Sequence, residues 1–185
     1  NLVLEDRLFY ESSLGGVTIS GGEPLMQKDF VKALLIKLKE QNIHVCVDTC
    51  GYADKTAFEQ VAPYTDLFLY DIKAFSEETH IKCTGKSNKI IWENLEFLDS
   101  INKPVIIRFP FIPSFNDFEA DDIAKKLSTF KNILSVDVLP YHNFSSSKYE
   151  ALDLEDTMPK IPMPQKRETE KIKEIFRKYN LKVND

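Results

Sequence analysis

The sequence predicts an α/β fold built on a parallel β-sheet. Short runs of β-branched and aromatic residues alternate with amphipathic stretches along the 185 residues. Several of those runs are apolar at consecutive positions, which is typical of strands covered by helices. Hydrophobic residues make up 43% and charged residues 29% of the chain, as expected for one globular domain with a sizeable core. We therefore interpret residues 1–185 as a single domain.

Predicted helices separate the predicted strands. Strands are expected at residues 16–20, 44–49, 67–72, 105–112 and 135–141. Helices are expected where apolar residues recur with helical spacing, at residues 28–41, 54–62, 88–101, 117–130 and 165–179. In the first of these helices the apolar stripe consists of Phe30, Val31, Leu34, Leu35 and Leu38. The opening residues resemble the end of a helix, and residues 143–164 are expected as a polar, proline-rich surface excursion.

Charge and hydropathy exclude two classes of partner. The formal net charge of −5 argues against non-specific binding to nucleic acid, which is itself negatively charged. The longest apolar candidate, residues 33–38, is interrupted by a lysine and is far shorter than the roughly 20 residues that span a bilayer. The opening residues do not resemble a signal peptide. We therefore expect a cytoplasmic protein that binds neither nucleic acid nor membrane.

The three cysteines are predicted to be free structural thiols. An odd number of cysteines, Cys46, Cys50 and Cys83, argues against a disulfide framework. The first two are four residues apart, which invites interpretation as a metal site. They belong to a predicted strand, however, where that spacing places side chains roughly 13 Å apart, too far to chelate one ion.

Polar residues collect at the carboxyl ends of the predicted strands, where parallel α/β folds bind their ligands. In chain order they are Ser20, Gly21, Gly22, Glu23, Asp48, Thr49, Asp71, Lys73, Arg108 and His142. Each alone has a structural explanation, because strand ends meet polar loops in any protein. Together they favour a ligand-binding site.

The chemistry of these side chains favours a zwitterionic ligand. Lys73 and Arg108 can bind a carboxylate or a phosphate, whereas Glu23 and Asp48 can bind an ammonium group or a cation. His142 can hydrogen-bond a hydroxyl group or stack on a ring. The sequence has no glycine-rich phosphate-binding motif, so an amino-acid-derived cofactor fits better than a nucleoside triphosphate. For Arg108, whose neighbours are apolar, an ion pair with an adjacent strand is the alternative.

The adjacent glycines suggest contact between a ligand and the backbone. Gly21 and Gly22 lack Cβ atoms, so they permit unusual dihedral angles and allow a ligand to approach the main chain closely. A tight turn between a strand and a helix is the alternative interpretation.

Six motifs resemble those of a known enzyme family. The stretch TISGGEPLMQ, around the two glycines, resembles the GGE motif of radical S-adenosylmethionine (SAM) enzymes. Five more motifs follow the order and approximate spacing of the pyruvate formate-lyase activating enzymes, which activate glycyl-radical enzymes: VDTCGY at 47–52, LFLYDIK at 67–73, TGKSN at 84–88, VIIRFPFIPSFND at 105–117 and VLPYHNF at 138–144. Many radical SAM enzymes share GGE alone, whereas six ordered motifs over nearly the whole chain are specific.

The resemblance implies a fold and a reaction. The fold is a partial (β/α)6 barrel of the TIM type, of which we expect this chain to lack the first strand. In the family, a [4Fe-4S] cluster passes an electron to SAM, which splits into methionine and a 5′-deoxyadenosyl radical. That radical takes a hydrogen atom from a backbone glycine of a partner such as pyruvate formate-lyase. Flavodoxin or ferredoxin is the expected electron donor, and the protein is expected to be a monomer.

The resemblance also implies roles for individual residues. Eight residues match SAM-binding positions of the family: Gly21, Gly22, Glu23, Asp71, Ile72, Lys73, Arg108 and His142. The first three match the site of the methionyl amino group, and Lys73 lies near the methionine carboxylate. Two more residues, Asp48 and Thr49, match a monovalent-cation site beside SAM.

The sequence departs from the family at the cluster. The family binds its cluster through CxxxCxxC upstream of GGE, whereas no cysteine precedes Cys46 here. We expect the ligands upstream of Asn1, and we expect this chain alone to be inactive. Three alternatives stay open: a radical SAM synthase acting on a small molecule, a SAM-binding barrel without a cluster, and an aldolase-type barrel. The last would use Lys73 as a Schiff-base amine, which the nearby Asp71 disfavours by stabilising the charged ammonium.

Overall fold

A computed structural model describes residues 2–142, 153 and 161–184, and it contains one five-stranded sheet. All adjacent strands are parallel, in the order β1 to β5 along the chain. The strands are β1 (Gly16–Ile19), β2 (His44–Thr49), β3 (Leu67–Asp71), β4 (Val105–Phe111) and β5 (Ile133–Pro140). Each strand lies within two residues of its predicted bounds, so the predicted α/β fold with a parallel sheet is confirmed.

Helices connect the strands. In the described residues the α-helices are α1 (Leu2–Glu5), α2 (Arg7–Ser13), α3 (Lys28–Glu40), α4 (Lys55–Val61), α5 (Glu77–Thr84), α6 (Lys89–Ser100), α7 (Ala120–Leu127) and α8 (Lys166–Lys178). Short 3-10 helices span Pro24–Gln27, Ala62–Tyr64 and Asp117–Glu119. The predicted helix at 117–130 is therefore a 3-10 turn followed by a shorter α-helix. Most of the predicted excursion at 143–164 lies outside the described residues.

Two local predictions need correction. Helix α5 was not predicted, because its sequence EETHIKCT has no apolar stripe; only its caps, Ser76 and the left-handed Gly85, mark its ends. Phe30 is 66% exposed instead of buried. The buried stripe of α3 is Val31, Leu35 and Leu38, and Phe30 lies one residue, or about 100° of helix rotation, away from it.

The two faces of the sheet differ in burial. Residues such as Val47, Tyr70 and Ile107 alternate along their strands and are fully buried in the core beneath the helices. The intervening residues point to the opposite face and are only partly buried, as the alternating pattern of β4 shows. Parallel register places Asp71 beside Arg108 on that second face. The sheet therefore presents a partly buried face with polar side chains.

The carboxyl-terminal residues extend the sheet beyond β5. The N–H of Val136 donates to the carbonyl of Lys182 (2.8 Å), and the N–H of Asn184 donates to the carbonyl of Val136 (3.1 Å). The Asn184 side chain also donates to Asp137 Oδ1 at 2.6 Å. None of the described helices is both long enough and apolar enough to span a bilayer.

Candidate ligand-binding site

The predicted site residues of the first four strands form one connected cluster at the carboxyl edge of the sheet. Ser20 Oγ donates to Asp48 Oδ2 at 2.9 Å, which links the ends of β1 and β2. Arg108, in β4, contacts both Asp48 and Asp71, and so joins β2 and β3. Because the strands are parallel, their carboxyl ends meet at one edge, as the sequence predicted. His142 lies two residues beyond β5 and is exposed, and its part in ligand binding stays a prediction.

Arg108 forms the ion pairs that were the alternative to ligand binding. Its Nε donates to Asp71 Oδ1 at 2.9 Å, and its Nη2 lies 2.8 Å from the same oxygen. Nη2 also donates to Asp48 Oδ1. The three side chains are only 18–22% exposed, so the guanidinium compensates two carboxylates that would otherwise face each other. Direct contact between Arg108 and a ligand stays a prediction.

The cluster carries an excess of negative charge. Its carboxylates are Glu23, Asp48 and Asp71, whereas its cations are Arg108 and Lys73. Lys73 Nζ lies 3.6 Å from Asp71 Oδ2, on the same side of the chain as predicted from their spacing. An acidic, partly buried cluster favours a ligand with net positive charge.

The carboxylate of Glu23, which follows β1, is hydrogen-bonded to residues at the carboxyl end of β2. Oε1 accepts hydrogen bonds from Leu25 N–H (3.1 Å) and Thr49 Oγ1 (2.8 Å), and Oε2 accepts one from Cys50 N–H (2.8 Å). Burial raises the pKa of the Cys50 thiol, and its hydrogen bond to Glu23 raises it further. Leu25 N–H, Thr49 Oγ1 and Cys50 N–H therefore occupy three of the lone pairs of this carboxylate. Glu23 can attract a bound ammonium group electrostatically while its oxygens keep their hydrogen bonds within the protein.

The adjacent glycines leave the main chain open. Gly21 has a φ of +143°, a conformation that disfavours residues with a side chain. A Cβ atom added at Gly21 or Gly22 would have no atom within 4 Å, so the backbone borders open space. The predicted unusual dihedral is therefore found, together with the room that a ligand would need beside the main chain.

The structure gives no support for the predicted monovalent-cation site. Thr49 is buried, donates to Glu23 and accepts from Gly51 N–H at 3.0 Å. Asp48 is bonded to Ser20 and Arg108. Within the part of the chain that the structure describes, no group of three or more His, Cys, Asp or Glu side chains is placed to hold a metal ion.

The cysteines are free thiols, as predicted. Burial raises the pKa of Cys46 and of Cys83, which keeps these thiols protonated near neutral pH. The described residues therefore contain no ligand set for an iron–sulfur cluster.

Three buried asparagines that the sequence did not reveal fix the loops around the cluster. Asn94 donates to the carbonyls of Gly51 (2.9 Å) and Ala53 (2.8 Å), beyond β2. Asn88 donates to the carbonyls of residues 74 and 75, beyond β3, and Asn116 donates to the carbonyls of Lys73, beyond β3, and Pro110, near the end of β4. Two of the three belonged to motifs noticed in the sequence, TGKSN and the end of VIIRFPFIPSFND. A buried asparagine has no periodic signal of its own, so only the fold identifies its partners.

Comparison with known proteins identifies the family. The family model of the radical SAM superfamily matches residues 4–127. The chain belongs to this superfamily. It is 42% identical to the trans-4-hydroxy-L-proline dehydratase activating enzyme of Clostridioides difficile, over 95% of this chain and 60% of that protein. It is 34% identical to the pyruvate formate-lyase-activating enzyme of Staphylococcus aureus (strain USA300), over 98% of this chain and 74% of that protein.

A solved structure agrees with the sequence comparison. A domain of pyruvate-formate lyase-activating enzyme from Bacteroides vulgatus superimposes with a TM-score of 0.78 at 26% identity, covering 92% of this chain and 98% of that domain. The chain thus has the partial-barrel fold of radical SAM proteins and belongs to the activating enzymes of glycyl-radical enzymes. It spans about three fifths of the length of its 42%-identical relative.

The family implies SAM and a [4Fe-4S] cluster, and the two groups fit the described residues differently. SAM fits, because an open Gly-Gly backbone, a lysine and an acidic excess lie along one edge of the sheet. The cluster does not fit, because no ligand set for it exists among the described residues.

Proposed function

We propose that this chain provides the SAM-binding site of an activating enzyme for a glycyl-radical enzyme. The observation that carries the proposal is the connected cluster at the carboxyl edge of β1 to β4, which combines exposed glycine backbone, a lysine and paired aspartates in a radical SAM fold. SAM carries an ammonium group, a sulfonium group and a carboxylate, so its net charge is positive. That charge complements the acidic excess of the cluster.

The proposed roles follow from the chemistry of each group. The main chain at Gly21 and Gly22 binds the amino group of SAM, and Lys73 binds its carboxylate. Arg108 acts by holding the two aspartates in place. Ile72 has a buried side chain, and its N–H donates to the carbonyl of Arg108 at 3.0 Å, so it holds the end of β3 beside β4; its direct contact with SAM stays a prediction.

SAM, when bound and reduced in this family, supplies the 5′-deoxyadenosyl group as a radical. The residues described here provide no ligand set for the cluster that delivers the electron. We propose that its ligands belong to a part of the protein outside this sequence, and we derive no step through the cluster. Flavodoxin or ferredoxin as electron donor stays part of the proposal.

The proposed partner is a glycyl-radical enzyme whose identity is open. The relative that shares 42% identity is named for trans-4-hydroxy-L-proline dehydratase, and another at 36% identity is named for choline trimethylamine-lyase. The relatives named for pyruvate formate-lyase share 34%. These names favour no single partner. With the cluster-bearing protein, electron paramagnetic resonance would show a glycine-centred radical only in the partner that is activated.

Nuclear magnetic resonance (NMR) titration tests the SAM site on this chain. SAM is expected to shift the amide resonances of residues 20–23, 48–51 and 71–73, whereas S-adenosylhomocysteine, which lacks the sulfonium charge, should bind more weakly. Lys73→Ala should weaken SAM binding, and Lys82→Ala, on the exposed surface of α5, serves as the control. Resonance shifts confined to other parts of the chain would contradict the proposed site.

A further inference from the structure

Four residues between β3 and helix α5 are held in place by side chains from elsewhere in the fold. This stretch, residues 73–76, is here called the Lys73 segment; it leads from the end of β3 to helix α5. It belongs to no helix or strand, so neighbouring strands do not fix its main chain. Its shape must therefore come from other hydrogen bonds, since buried backbone groups need partners.

Three buried polar side chains supply those hydrogen bonds. Asn116 donates to the carbonyl of Lys73 at 2.8 Å. Asn88 donates to the next two carbonyls, of residues 74 and 75, at 3.1 and 2.8 Å. Glu119 accepts from the N–H groups of residues 75 and 76 at 2.7 and 3.3 Å. The three side chains are at most 5% exposed, so five backbone groups of four consecutive residues are bonded inside the protein.

Asn116 makes the contact at the functional lysine. Its second amide hydrogen goes to the carbonyl of Pro110 at 2.7 Å, and its Oδ1 accepts from Ile112 N–H at 2.9 Å. Both of its donors and one acceptor site are thus engaged. One side chain therefore links Lys73, which lies just beyond β3, to the carboxyl end of β4, the strand that contains Arg108.

We infer that Asn116 is a positioning residue for Lys73, one that determines how well the site recognises the carboxylate of its ligand. The inference rests on the proposed function, because it takes the ligand to be SAM. A lysine ammonium sits on a flexible four-carbon stem, so a fixed backbone origin limits where Nζ can reach. Small displacements of a positioned group reduce binding and catalysis strongly. The Asn116 side chain contacts only the backbone carbonyl of Lys73. Its effect on the ligand is therefore indirect, through the position of the lysine.

The test compares SAM with decarboxylated SAM, which keeps the adenosyl, sulfonium and amino groups but lacks the carboxylate. Dissociation constants are measured by NMR titration for the wild-type chain, Asn116→Ala, Lys73→Ala and the double variant. Asn132→Ala is the matched control. Asn132 is also a buried asparagine that donates to a carbonyl, that of Lys103 at 2.9 Å, but it precedes β5 at the opposite edge of the sheet.

Asn116→Ala is expected to weaken SAM binding about five- to tenfold and to change the binding of decarboxylated SAM less than about twofold. Lys73→Ala should show the same ligand selectivity. The double variant should bind SAM no more weakly than Lys73→Ala, because the asparagine acts through the lysine. The control should leave both dissociation constants unchanged.

Two results would overturn the positioning role while leaving the SAM site intact: equal weakening of both ligands by Asn116→Ala, or unchanged SAM binding in that variant. If the variant does not fold, Asn116→Ser, which keeps one donor, is measured instead. Failure of both variants to fold would assign Asn116 a structural role only. If the wild-type chain binds neither ligand, the proposed function itself fails.

Discussion

Gly51 and Gly85 share a left-handed backbone conformation but differ in their surroundings. Their φ angles are +75° and +73°. A Cβ atom added at Gly51 would lie 2.1 Å from Tyr70 Oη and 2.4 Å from Tyr70 Cζ, whereas one added at Gly85 would have no atom within 4 Å. Substituting alanine at each position therefore separates the strain of the backbone from the steric clash.

The expected costs can be worked out from these contacts. Gly85→Ala should cost about 1 kcal/mol, because an L-residue is disfavoured in this conformation. Gly51→Ala carries the same strain and also forces the ring of Tyr70 to retreat by about 1 Å to reach contact distance. Tyr70 is fully buried and donates to the carbonyl of Ile91 at 2.6 Å. Overpacking and the weakened buried hydrogen bond bring the total to about 3–5 kcal/mol.

Equilibrium unfolding in urea measures both variants against the wild-type chain. The free energy of unfolding should fall by about 2–4 kcal/mol more for Gly51→Ala than for Gly85→Ala. A difference below about 1 kcal/mol would contradict the predicted clash, since it would mean that the ring of Tyr70 moves aside without a loss of stability. The slope of unfolding free energy against urea should stay the same, which confirms that the folded state has not changed.

Three further predictions concern charged and titratable groups. Arg108→Ala should cost about 2–3 kcal/mol in urea unfolding, because it leaves two partly buried aspartates without their shared cation. Glu23→Gln should speed the reaction of Cys50 with iodoacetamide at pH 8, because it removes the carboxylate that, after burial, raises the pKa of this thiol. Burial raises the pKa of Asp66, but hydrogen bonds from Lys39 and a backbone N–H outweigh burial and lower the pKa overall. Asp66 therefore stabilises the fold above the pKa of an unfolded aspartate, about 3.9, and that stability is lost as the pH falls through its lower folded-state pKa.

Each of these predictions has a result that contradicts it. A cost below about 1 kcal/mol for Arg108→Ala would mean that solvent already screens the two aspartates. A slower thiol reaction after Glu23→Gln would assign the carboxylate an activating effect on Cys50. Asp66→Asn should reduce the loss of unfolding free energy as the pH falls below about 4. An unchanged dependence on pH in that range would exclude Asp66 as its cause.

Hydrophobic patterning was sufficient to locate the strands of this fold. The strands are runs of β-branched and aromatic residues, and β2 lies at its predicted residues. Helix α5 escaped prediction because no apolar stripe marks it, and its ends depend on the caps Ser76 and Gly85. Phe30 was predicted to be buried but is exposed. Hydrophobic periodicity shows which side of a helix is buried, whereas the width of the buried stripe depends on the elements that pack against the helix.

The location of the candidate site was also predictable, whereas its internal pairing was not. Parallel strands bring their carboxyl ends together, which is enough to gather Asp71 and Arg108 from distant parts of the sequence. Whether Arg108 meets a ligand or an aspartate depends on strand register, which composition does not specify. The same holds for Asn116, whose partners Lys73 and Pro110 lie beyond β3 and in β4, two segments that become neighbours only in the folded chain.

The pairing of Val136 with Val183 has a consequence for the order of folding. These residues lie about 47 positions apart, and their bridge sets the last hydrogen bonds at the β5 side of the sheet. Closing so long a loop costs conformational entropy before the contact can return any stability. Sheet pairings between neighbouring strands span shorter stretches, so we expect them to form earlier. Until residues 182–184 pair with Val136, this edge of β5 is unpaired, and disrupting that pairing should make the edge a site of self-association.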